Sequence, residues 1–231
     1  MRAIDLNADL GEGGDDAALY RMVSSASIAC GGHAGDRASM ADAIARALDA
    51  GVAIGAHPSY PDRERFGRVS VALGMNALAD EVARQIEALA EISTARGAAL
   101  RHVKPHGALY NDAAHDPAIA AAIADGVARV DHDLLIFGLA GSTAIAVWRD
   151  LGWRTASEGF CDRGYEADGS LMARVKPGAL LIDPEEASAQ ALRLAAECRT
   201  LCVHSDTPGA ATILAEVRTA LGRAGFTISP P

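Results

Sequence analysis

The sequence predicts an α/β fold, and within that class a (β/α) barrel with seven candidate strands. Short apolar or alternating runs are separated by segments of helical length along all 231 residues, with no composition break or linker. Polar residues follow the end of every predicted strand, which fits one ring of loops around a single site better than an open sheet. We therefore expect one domain over residues 1–231.

The predicted strands are recognised by their side-chain patterns. In residues 3–10, Asp5, Asn7 and Asp9 alternate with apolar residues, which is the period of a strand with one polar face. Most of the others are short apolar runs that end beside glycine, histidine or acidic residues. The seven predicted strands lie at residues 3–10, 25–30, 52–56, within 100–111, and at 134–139, 155–160 and 201–203.

The segments between the strands have helical spacing. In residues 38–50, Met40, Ile44 and Leu48 recur on one face, and Gly51 follows as a stop. The acidic pair at 15–16 follows a glycine-rich break and resembles a helix cap. The predicted helices lie at residues 15–23, 38–50, 75–95, 117–130, 142–151, 183–199 and 210–224.

The stretch 100–111, LRHVKPHGALYN, carries the strongest functional signal. In an extended strand, His102, Lys104 and His106 share one face. A strand face that only packs would be apolar, because burying Lys and His without partners costs several kcal/mol. The sequence Pro105-His106-Gly107 then predicts that the strand ends there and opens into a loop.

Composition excludes several classes of function. The net charge is −9 and no block of Lys and Arg is present, which argues against nucleic-acid binding. No run approaches 18 apolar residues and no secretory leader is recognisable, so we expect a cytoplasmic protein without a membrane span. The four cysteines lack CxxC spacing and are expected to be reduced and mostly buried.

The predicted ring of strand ends is rich in groups for acid–base chemistry and for anion binding. Carboxylates and imidazoles transfer protons near neutral pH, and Lys and Arg neutralise anions, so hydrolysis or phosphoryl transfer is the natural class of reaction. A divalent metal is a less favoured alternative, with Asp9, His33 and His57 as its ligands, because no HExxH motif is present. Ser142 and Cys161 have no adjacent base and are interpreted as turn or packing residues.

Six segments carry a resemblance to a known family. They read IDLNADLGEG, VSSASIACGGHAGD, GVAIGAHPSYPDRERFGR, HVKPHGALYN, GLAGS and FCDRGYEADGSL, in this order along nearly the whole chain. The sequence resembles the LamB/YcsF family. The resemblance implies a barrel similar to those of glycoside hydrolases and polysaccharide deacetylases.

The family also implies an activity, that of the A subunit of a bacterial ATP-dependent 5-oxoprolinase. Such an enzyme converts 5-oxo-L-proline, ATP and water to L-glutamate, ADP and phosphate. The resemblance implies two partner subunits, B and C, and ATP with Mg²⁺ at the level of the complex. The chain has no Walker motif, so the ATP site is expected on a partner or shared with one.

The resemblance further implies which residues form the site. Catalytic roles fall on Asp9, His57, Lys104, His106, Asp162 and Arg163, and substrate-binding roles on Asn7, Glu12, His33, Asp36, Tyr110, Asn111, Tyr165 and Asp206. The mechanistic hypothesis makes Asp9 or His57 the general base and His106 the acid at the ring nitrogen. Lys104 and Arg163 hold the phosphate or the substrate carboxylate. Lys104→Met is expected to reduce turnover far more than it destabilises the fold.

Two other functions remain open from the residues. One is a stand-alone, metal-dependent deacetylase or amidohydrolase, and the other is a subunit that only binds while its partners catalyse. Three features depart from the expected family pattern: Gly32 stands where a larger residue is expected, Ser205 replaces a glycine, and the segment 190–201 is short. Gly32 is expected to loosen its loop.

Overall fold

Seven parallel strands close into a ring in the computed structural model, which describes residues 2–231. They are β1 (Arg2–Leu10), β2 (Ser25–Ala29), β3 (Ala53–His57), β4 (His102–Val103), β5 (Leu135–Leu139), β6 (Thr155–Phe160) and β7 (Thr200–Cys202). The ring is closed because β1 pairs with both β2 and β7. β8 (Phe226–Ile228) pairs with the first residues of β1 outside the ring. The predicted seven-stranded barrel is confirmed; Met1, the first residue of the predicted domain, lies outside the described residues.

Helices connect successive strands and surround the ring. They are α1 (Arg37–Ala50), α2 (Met75–Ala95), α3 (Gly107–Ala113), α4 (Pro117–Ala128), α5 (Thr143–Asp150), α6 (Pro184–Leu194) and α7 (Ala210–Arg223). Four of them begin at a residue whose side chain accepts a hydrogen bond from the first turn, which satisfies otherwise free N–H groups. These capping residues are Asp36, Asp116, Ser142 and Asp183.

Three predictions about helices are wrong. The predicted helix 15–23 is only a 3₁₀ turn at Leu19–Arg21, because the Asp16 carboxylate accepts a hydrogen bond from the Gly11 N–H and closes the preceding loop. The predicted loop after His106 is instead the short helix α3. The predicted helix 183–199 is shorter, since α6 ends at Leu194.

The two faces of β1 separate an apolar core from a polar barrel interior. Ile4 and Leu6 belong to the main core, which lies between the ring of strands and the helices. Asp5 and Asn7 face inward, and Asn7 Nδ2 donates a hydrogen bond across the interior to Glu158 on β6, at 2.9 Å. The alternation read from the sequence therefore corresponds to outward and inward faces, as strand geometry requires.

No helix among residues 2–231 combines the length and the apolar character that crossing a bilayer needs. All four cysteines of the chain are buried and free. The prediction that they are buried thiols is confirmed.

A glycine in β3 makes room for an imidazole inside the barrel. The His102 ring stacks on Phe137 with 4.2 Å between centroids and contacts Ser27 Oγ, while its other side lies against Gly55. A Cβ at Gly55 would overlap that ring, so we expect Gly55→Ala to destabilise the protein by about 1–3 kcal/mol. Gly222→Ala in α7, where nothing lies within 4 Å of an added Cβ, should stabilise by about 0.5–1 kcal/mol. Urea unfolding measures both; equal effects would contradict the packing argument.

Candidate active site

A pocket of about 490 Å³ opens where the strands end at the carboxyl side of the barrel. Polar side chains reach it from β1, from β3 and from the segments that follow β4, β6 and β7. The segment 171–175 forms part of its wall. Its polar lining includes Asp9, His57, Lys104, His106, Tyr110, Asn111, Arg163 and His204. The predicted convergence of strand ends on one site is therefore present in the structure.

Lys104 is held in a network of oxygen and sulfur atoms. Its Nζ lies 2.8 Å from both Asp9 Oδ1 and Glu158 Oε1. It also donates to Asn7 Oδ1 and to Cys202 Sγ, each at 3.1 Å. Burial by itself would lower the pKa of Lys104, but the surrounding negative charges, with Asp9 foremost, hold it well above its usual value. The side chain is a permanent cation with its position fixed.

Four side chains beside this network direct nitrogen and oxygen atoms at one point. Glu12 Oε1 lies 2.8 Å from His33 Nε2, 3.4 Å from His106 Nδ1 and 3.8 Å from His57 Nε2. His57 Nε2 and His106 Nδ1 are 3.0 Å apart, and the rings of His33 and His106 stack with centroids separated by 3.6 Å. We call Glu12, His33, His57 and His106 the histidine cluster.

Backbone carbonyl groups orient two of these rings. His57 Nδ1 lies 2.7 Å from the Lys104 carbonyl oxygen, and His106 Nε2 lies 2.9 Å from the Phe66 carbonyl oxygen. A carbonyl oxygen only accepts, so both nitrogens carry a hydrogen. The nitrogens that face the cluster are then His57 Nε2 and His106 Nδ1, which are left with lone pairs in the neutral rings.

Asp9 links the histidine cluster to Lys104, because its Oδ2 lies 3.4 Å from His57 Nε2. Burial would raise the pKa of Asp9, but His57 and Lys104 hold it well below its usual value. Burial would lower the pKa of His57, but the Asp9 carboxylate raises it. Burial, with the Asp9 charge, raises the pKa of Glu12 to about 7. The site therefore combines an ionised carboxylate, a fixed cation and groups that exchange protons near neutral pH.

A second set of polar residues, centred on Asp162, stabilises the loop after β7. The Asp162 carboxylate accepts hydrogen bonds from the backbone N–H of His204, at 3.0 Å, and from the Thr207 hydroxyl. His204 Nδ1 lies 3.1 Å from the same carboxylate. Asp162 is fully buried, and these bonds position His204 in the pocket wall.

The whole site lies within the part of the chain that matches a known family. Residues 4–231 match the LamB/YcsF family. The chain belongs to the LamB/YcsF family. The resemblance seen in the sequence motifs is confirmed.

Two relatives named as 5-oxoprolinase A subunits are similar to this chain over nearly their full lengths. The chain is 45% identical to the 5-oxoprolinase A subunit of Chloroflexus aggregans over 251 aligned positions, which cover 100% of both chains. It is 46% identical to the 5-oxoprolinase A subunit of Shouchella clausii, covering 99% of this chain and 98% of the relative. Since 251 positions exceed the 231 residues here, the Chloroflexus relative contains insertions.

Solved structures extend the comparison to the fold. The lactam utilization protein from Thermus thermophilus superposes with a TM-score of 0.92 at 38% identity, covering 98% of this chain and 99% of the other. A family 4 carbohydrate esterase from Streptomyces lividans superposes with a TM-score of 0.53 at 12% identity, covering 98% and 91%. A T48 deacetylase superposes with a TM-score of 0.52 at 15% identity, covering 98% and 87%. These two likenesses show the fold alone, and the deacetylase confirms the predicted similarity to deacetylase barrels.

Most of the residues that the LamB/YcsF resemblance implies lie in or beside the pocket. Seven line it directly: Asp9, His57, Lys104, His106, Tyr110, Asn111 and Arg163. Asn7, Glu12, His33 and Asp162 support those residues through the contacts described above. Tyr110 donates a hydrogen bond to Glu158 Oε2 at 2.8 Å, so it also belongs to the Lys104 network.

The remaining predicted residues have structural surroundings of their own. Asp36 is exposed and forms the N-cap of α1, outside the pocket lining. The Tyr165 hydroxyl accepts a hydrogen bond from the Phe160 N–H at 2.6 Å. Asp206 is partly exposed and pairs with Arg68 and Arg174 at the pocket rim.

Arg163 and Gly32 differ from the expectations for them. Two donors of the Arg163 guanidinium bind the carbonyl oxygens of Ala179 and Met172, so this side chain holds the loop 171–180 as well as lining the pocket. Gly32 was expected to loosen its loop, but an added Cβ would overlap side-chain atoms of Ser59 and Gln85. The loop is tightly packed at Gly32, and that expectation is wrong.

The structure also changes the candidate metal ligands. Asp9, His33 and His57 were expected to form one set, but His33 and His57 are grouped with Glu12 and His106, while Asp9 is grouped with Cys202 and His204. Glu158 belongs to the ring of polar residues that the sequence predicts, but the catalytic and substrate-binding roles implied by the resemblance do not include it. Arg68 and Arg174 were also missed, because they lie on loops that strand periodicity does not place.

Proposed function

We propose that this chain is the A subunit of an ATP-dependent 5-oxoprolinase, which hydrolyses 5-oxo-L-proline to L-glutamate with hydrolysis of ATP. The observation that carries the proposal is the identity of about 45% over the full length to two relatives that are named as the A subunit of 5-oxoprolinase. Subunits B and C are the partners, and ATP with Mg²⁺ binds in the complex. The absence of a Walker motif favours an ATP site on a partner or shared with one.

The pocket supports this proposal through its charges. Lys104 is a buried cation beside Asp9, and both line a cavity large enough for a five-membered lactam. A fixed ammonium group stabilises negative charge that develops on a substrate oxygen, because it is oriented before the reaction starts. Asp9 is ionised at neutral pH and orients the attacking water as a hydrogen-bond acceptor. Asp9 and His57 together form the general base that removes the proton of this water, since His57 Nε2 lies 3.4 Å from Asp9 Oδ2 and, in spite of burial, the Asp9 carboxylate raises the pKa of His57.

The histidine cluster supplies the proton that the leaving nitrogen needs. Transfer of the γ-phosphoryl group to the lactam oxygen releases ADP and makes the ring carbon electrophilic. Water adds to that carbon, the C–N bond breaks as His106 protonates the nitrogen, and γ-glutamyl phosphate is formed. A second water cleaves the acyl phosphate to glutamate and phosphate. His106 lines the pocket and its Nδ1 is 3.0 Å from His57 Nε2, so the pair can hold this proton.

Glutamate release from 5-oxoproline and ATP tests the proposal. We expect release when this chain is mixed with subunits B and C, and none from the chain alone. Asp9→Asn should reduce the rate of the assembled complex by at least about 100-fold, the scale of losing a general base. His132→Asn is the matched control, because His132 is exposed and stacks on Trp153 outside the pocket.

The alternatives give different results in the same assay. A binding subunit without catalytic residues would leave the Asp9→Asn complex fully active, provided that size-exclusion chromatography shows it assembled. A stand-alone deacetylase or amidohydrolase would give no glutamate in the mixture, and would act on an acetylated substrate or another amide without ATP. Either result would overturn the proposed function.

A further inference from the structure

We propose that the histidine cluster is a binding site for one divalent transition-metal ion, of the Zn²⁺ class. The ligand atoms are Glu12 Oε1, His33 Nε2, His57 Nε2 and His106 Nδ1. The proposal concerns metal binding by this chain alone. A bound ion would occupy His57 Nε2 and His106 Nδ1, the atoms that hold the proton in the proposed reaction, so the metal-bound and proton-bound states of the cluster exclude one another. Three observations support the proposal: the distances between the ligand atoms, the positions of the N–H groups on the imidazole rings, and the poorer chemistry of a second group of possible ligands.

The distances within the cluster fit a tetrahedral ion. Zn–N and Zn–O bonds of about 2.0–2.1 Å place tetrahedral ligands about 3.4 Å apart. The distances from Glu12 Oε1 to the three ring nitrogens are 2.8, 3.4 and 3.8 Å, and the distance between His57 Nε2 and His106 Nδ1 is 3.0 Å. All four ligand atoms lie within 4.8 Å of one another. Small side-chain movements would bring these atoms to ideal separations.

The hydrogen atoms of the rings leave electron pairs facing one another. His57 Nδ1 and His106 Nε2 donate to backbone carbonyl groups, so in the neutral rings the facing atoms, His57 Nε2 and His106 Nδ1, both carry lone pairs. These atoms are 3.0 Å apart, and carboxylate oxygens of Glu12 and Asp9 lie within 3.4 Å of one or the other. Protonation of Glu12 or His57 relieves part of this concentration of acceptors, whereas one metal ion at its centre would use all four ligand atoms at once.

The same outer hydrogen bonds are those that metal-binding histidines make. A ring that donates its outer N–H to a carbonyl group is fixed in the tautomer and orientation that ligation needs. His57 and His106 both have this support. The outer nitrogen of His33, Nδ1, is buried and has no hydrogen-bond partner among residues 2–231. Its tautomer is therefore free to change when the Nε2 atom binds an ion.

The composition of the cluster determines the class of metal. Three imidazoles and one carboxylate suit Zn²⁺, Co²⁺ or Ni²⁺, whereas Mg²⁺ and Ca²⁺ prefer oxygen ligands. This site is therefore distinct from the Mg²⁺ that accompanies ATP. All four side chains are at most 9% exposed, so a bound ion would be shielded from bulk water.

A second group of possible ligands, Asp9, Cys202 and His204, is less suitable. Cys202 Sγ already accepts a hydrogen bond from Lys104 Nζ at 3.1 Å. Metal ligation requires a thiolate, and burial holds the pKa of this thiol well above its usual value. Asp9 Oδ1 is likewise paired with Lys104, at 2.8 Å. An ion at this second site would have to displace the lysine.

Cobalt titration of the metal-stripped protein tests the proposal. Dipicolinate removes any bound metal, and Co²⁺ is then added while its visible absorption is recorded. We expect one Co²⁺ per chain with the intense bands of a four-coordinate ion, and displacement by one equivalent of Zn²⁺. Glu12→Gln and His33→Ala should each weaken binding by at least about 100-fold, more than the loss of an outer hydrogen bond gives. His132→Ala, outside the cluster, is the control.

Three outcomes would overturn the proposal: no stoichiometric binding by the wild-type chain, binding that Glu12→Gln and His33→Ala leave unchanged, or binding that Cys202→Ser abolishes. Circular dichroism checks that the variants fold. X-ray absorption of the Zn²⁺-loaded wild-type chain decides the matter without any variant. Three imidazole ligands and no sulfur are expected, whereas a Zn–S distance of about 2.3 Å would place the ion at Cys202 instead.

Discussion

Lys104→Met is expected to destabilise the protein by about 3–5 kcal/mol and to reduce glutamate formation by the complex at least about 1000-fold. Methionine removes the ammonium group that lies 2.8 Å from both Asp9 and Glu158. It leaves the buried Glu158 without a counter-charge, and leaves Asp9 with His57 alone. Removing one partner of a buried ion pair is costly because the remaining charge stays desolvated. Urea unfolding and the coupled glutamate assay measure the two effects.

A second substitution separates stability from activity. In the double variant Lys104→Met, Glu158→Gln, the charge of Glu158 is gone, so we expect recovery of about half of the lost stability. Activity should not return, because the cation is still missing. Lys176→Met is the matched control: Lys176 is the chain's only other lysine, and its side chain is 53% exposed. Full activity in the folded double variant would remove Lys104 from the mechanism.

From the sequence alone, Lys104→Met was expected to reduce turnover far more than it lowers stability. The structure predicts large losses of both. The expectation from the sequence gave Lys104 the role of holding the phosphate or the substrate carboxylate, and assigned it no buried partner within the protein. In the structure the residue is 2% exposed, and Glu158 approaches it from β6. A contact between residues 54 positions apart depends on how the ring closes, which local periodicity does not specify.

The fold was predictable because strand periodicity and strand-end chemistry are local. The alternation in β1 predicted the outward Leu6 and the inward Asn7 correctly. Polar residues at or after the ends of β1, β3, β4, β6 and β7 line one pocket, as predicted. The errors arise where tertiary contacts decide the backbone. Gly107 begins α3 with φ at +57°, and its place against Gly67 leaves no space for a side chain. Nothing in Pro105-His106-Gly107 distinguishes that helix start from a loop.

The candidate site was predictable to the same extent. Asp9 and His57 lie at the ends of strands and Lys104 directly follows one, and all three line the same pocket, as expected. Glu12 reaches the histidines only because the turn after β1 bends back, with Gly11 and Gly13 at positive φ. The partners of Glu12, and so the composition of the histidine cluster, could not be read from spacing.

The free energy of unfolding of Asp5→Asn, measured relative to wild type, is expected to be larger at neutral pH than at acidic pH. Asp5 is 1% exposed and accepts hydrogen bonds from Ser24, Ser25 and Thr200 inside the barrel. Burial is the largest influence on its pKa and raises it to about 6, in spite of these bonds. The folded state therefore favours the protonated carboxyl more than the unfolded state does.

The sign of the pH dependence follows from this difference. Below pH 3.8, the ordinary pKa of an aspartate side chain, Asp5 is mostly protonated in both states. As the pH rises towards 6, the unfolded chain loses this proton first, which favours unfolding. Wild-type stability should therefore fall by about 2 kcal/mol between about pH 4 and pH 7 through Asp5 alone. Asparagine does not titrate, so the variant lacks this loss.

Urea unfolding of both proteins at several pH values isolates the effect, because the other titrating groups cancel in the difference. Asp49→Asn removes an exposed carboxyl of α1 and corrects for the loss of one negative charge. The stability of Asp5→Asn relative to wild type should increase steadily from pH 4 to pH 7. A constant difference would mean that Asp5 titrates alike in both states, and that the hydroxyl groups of Ser24, Ser25 and Thr200 compensate fully for its burial.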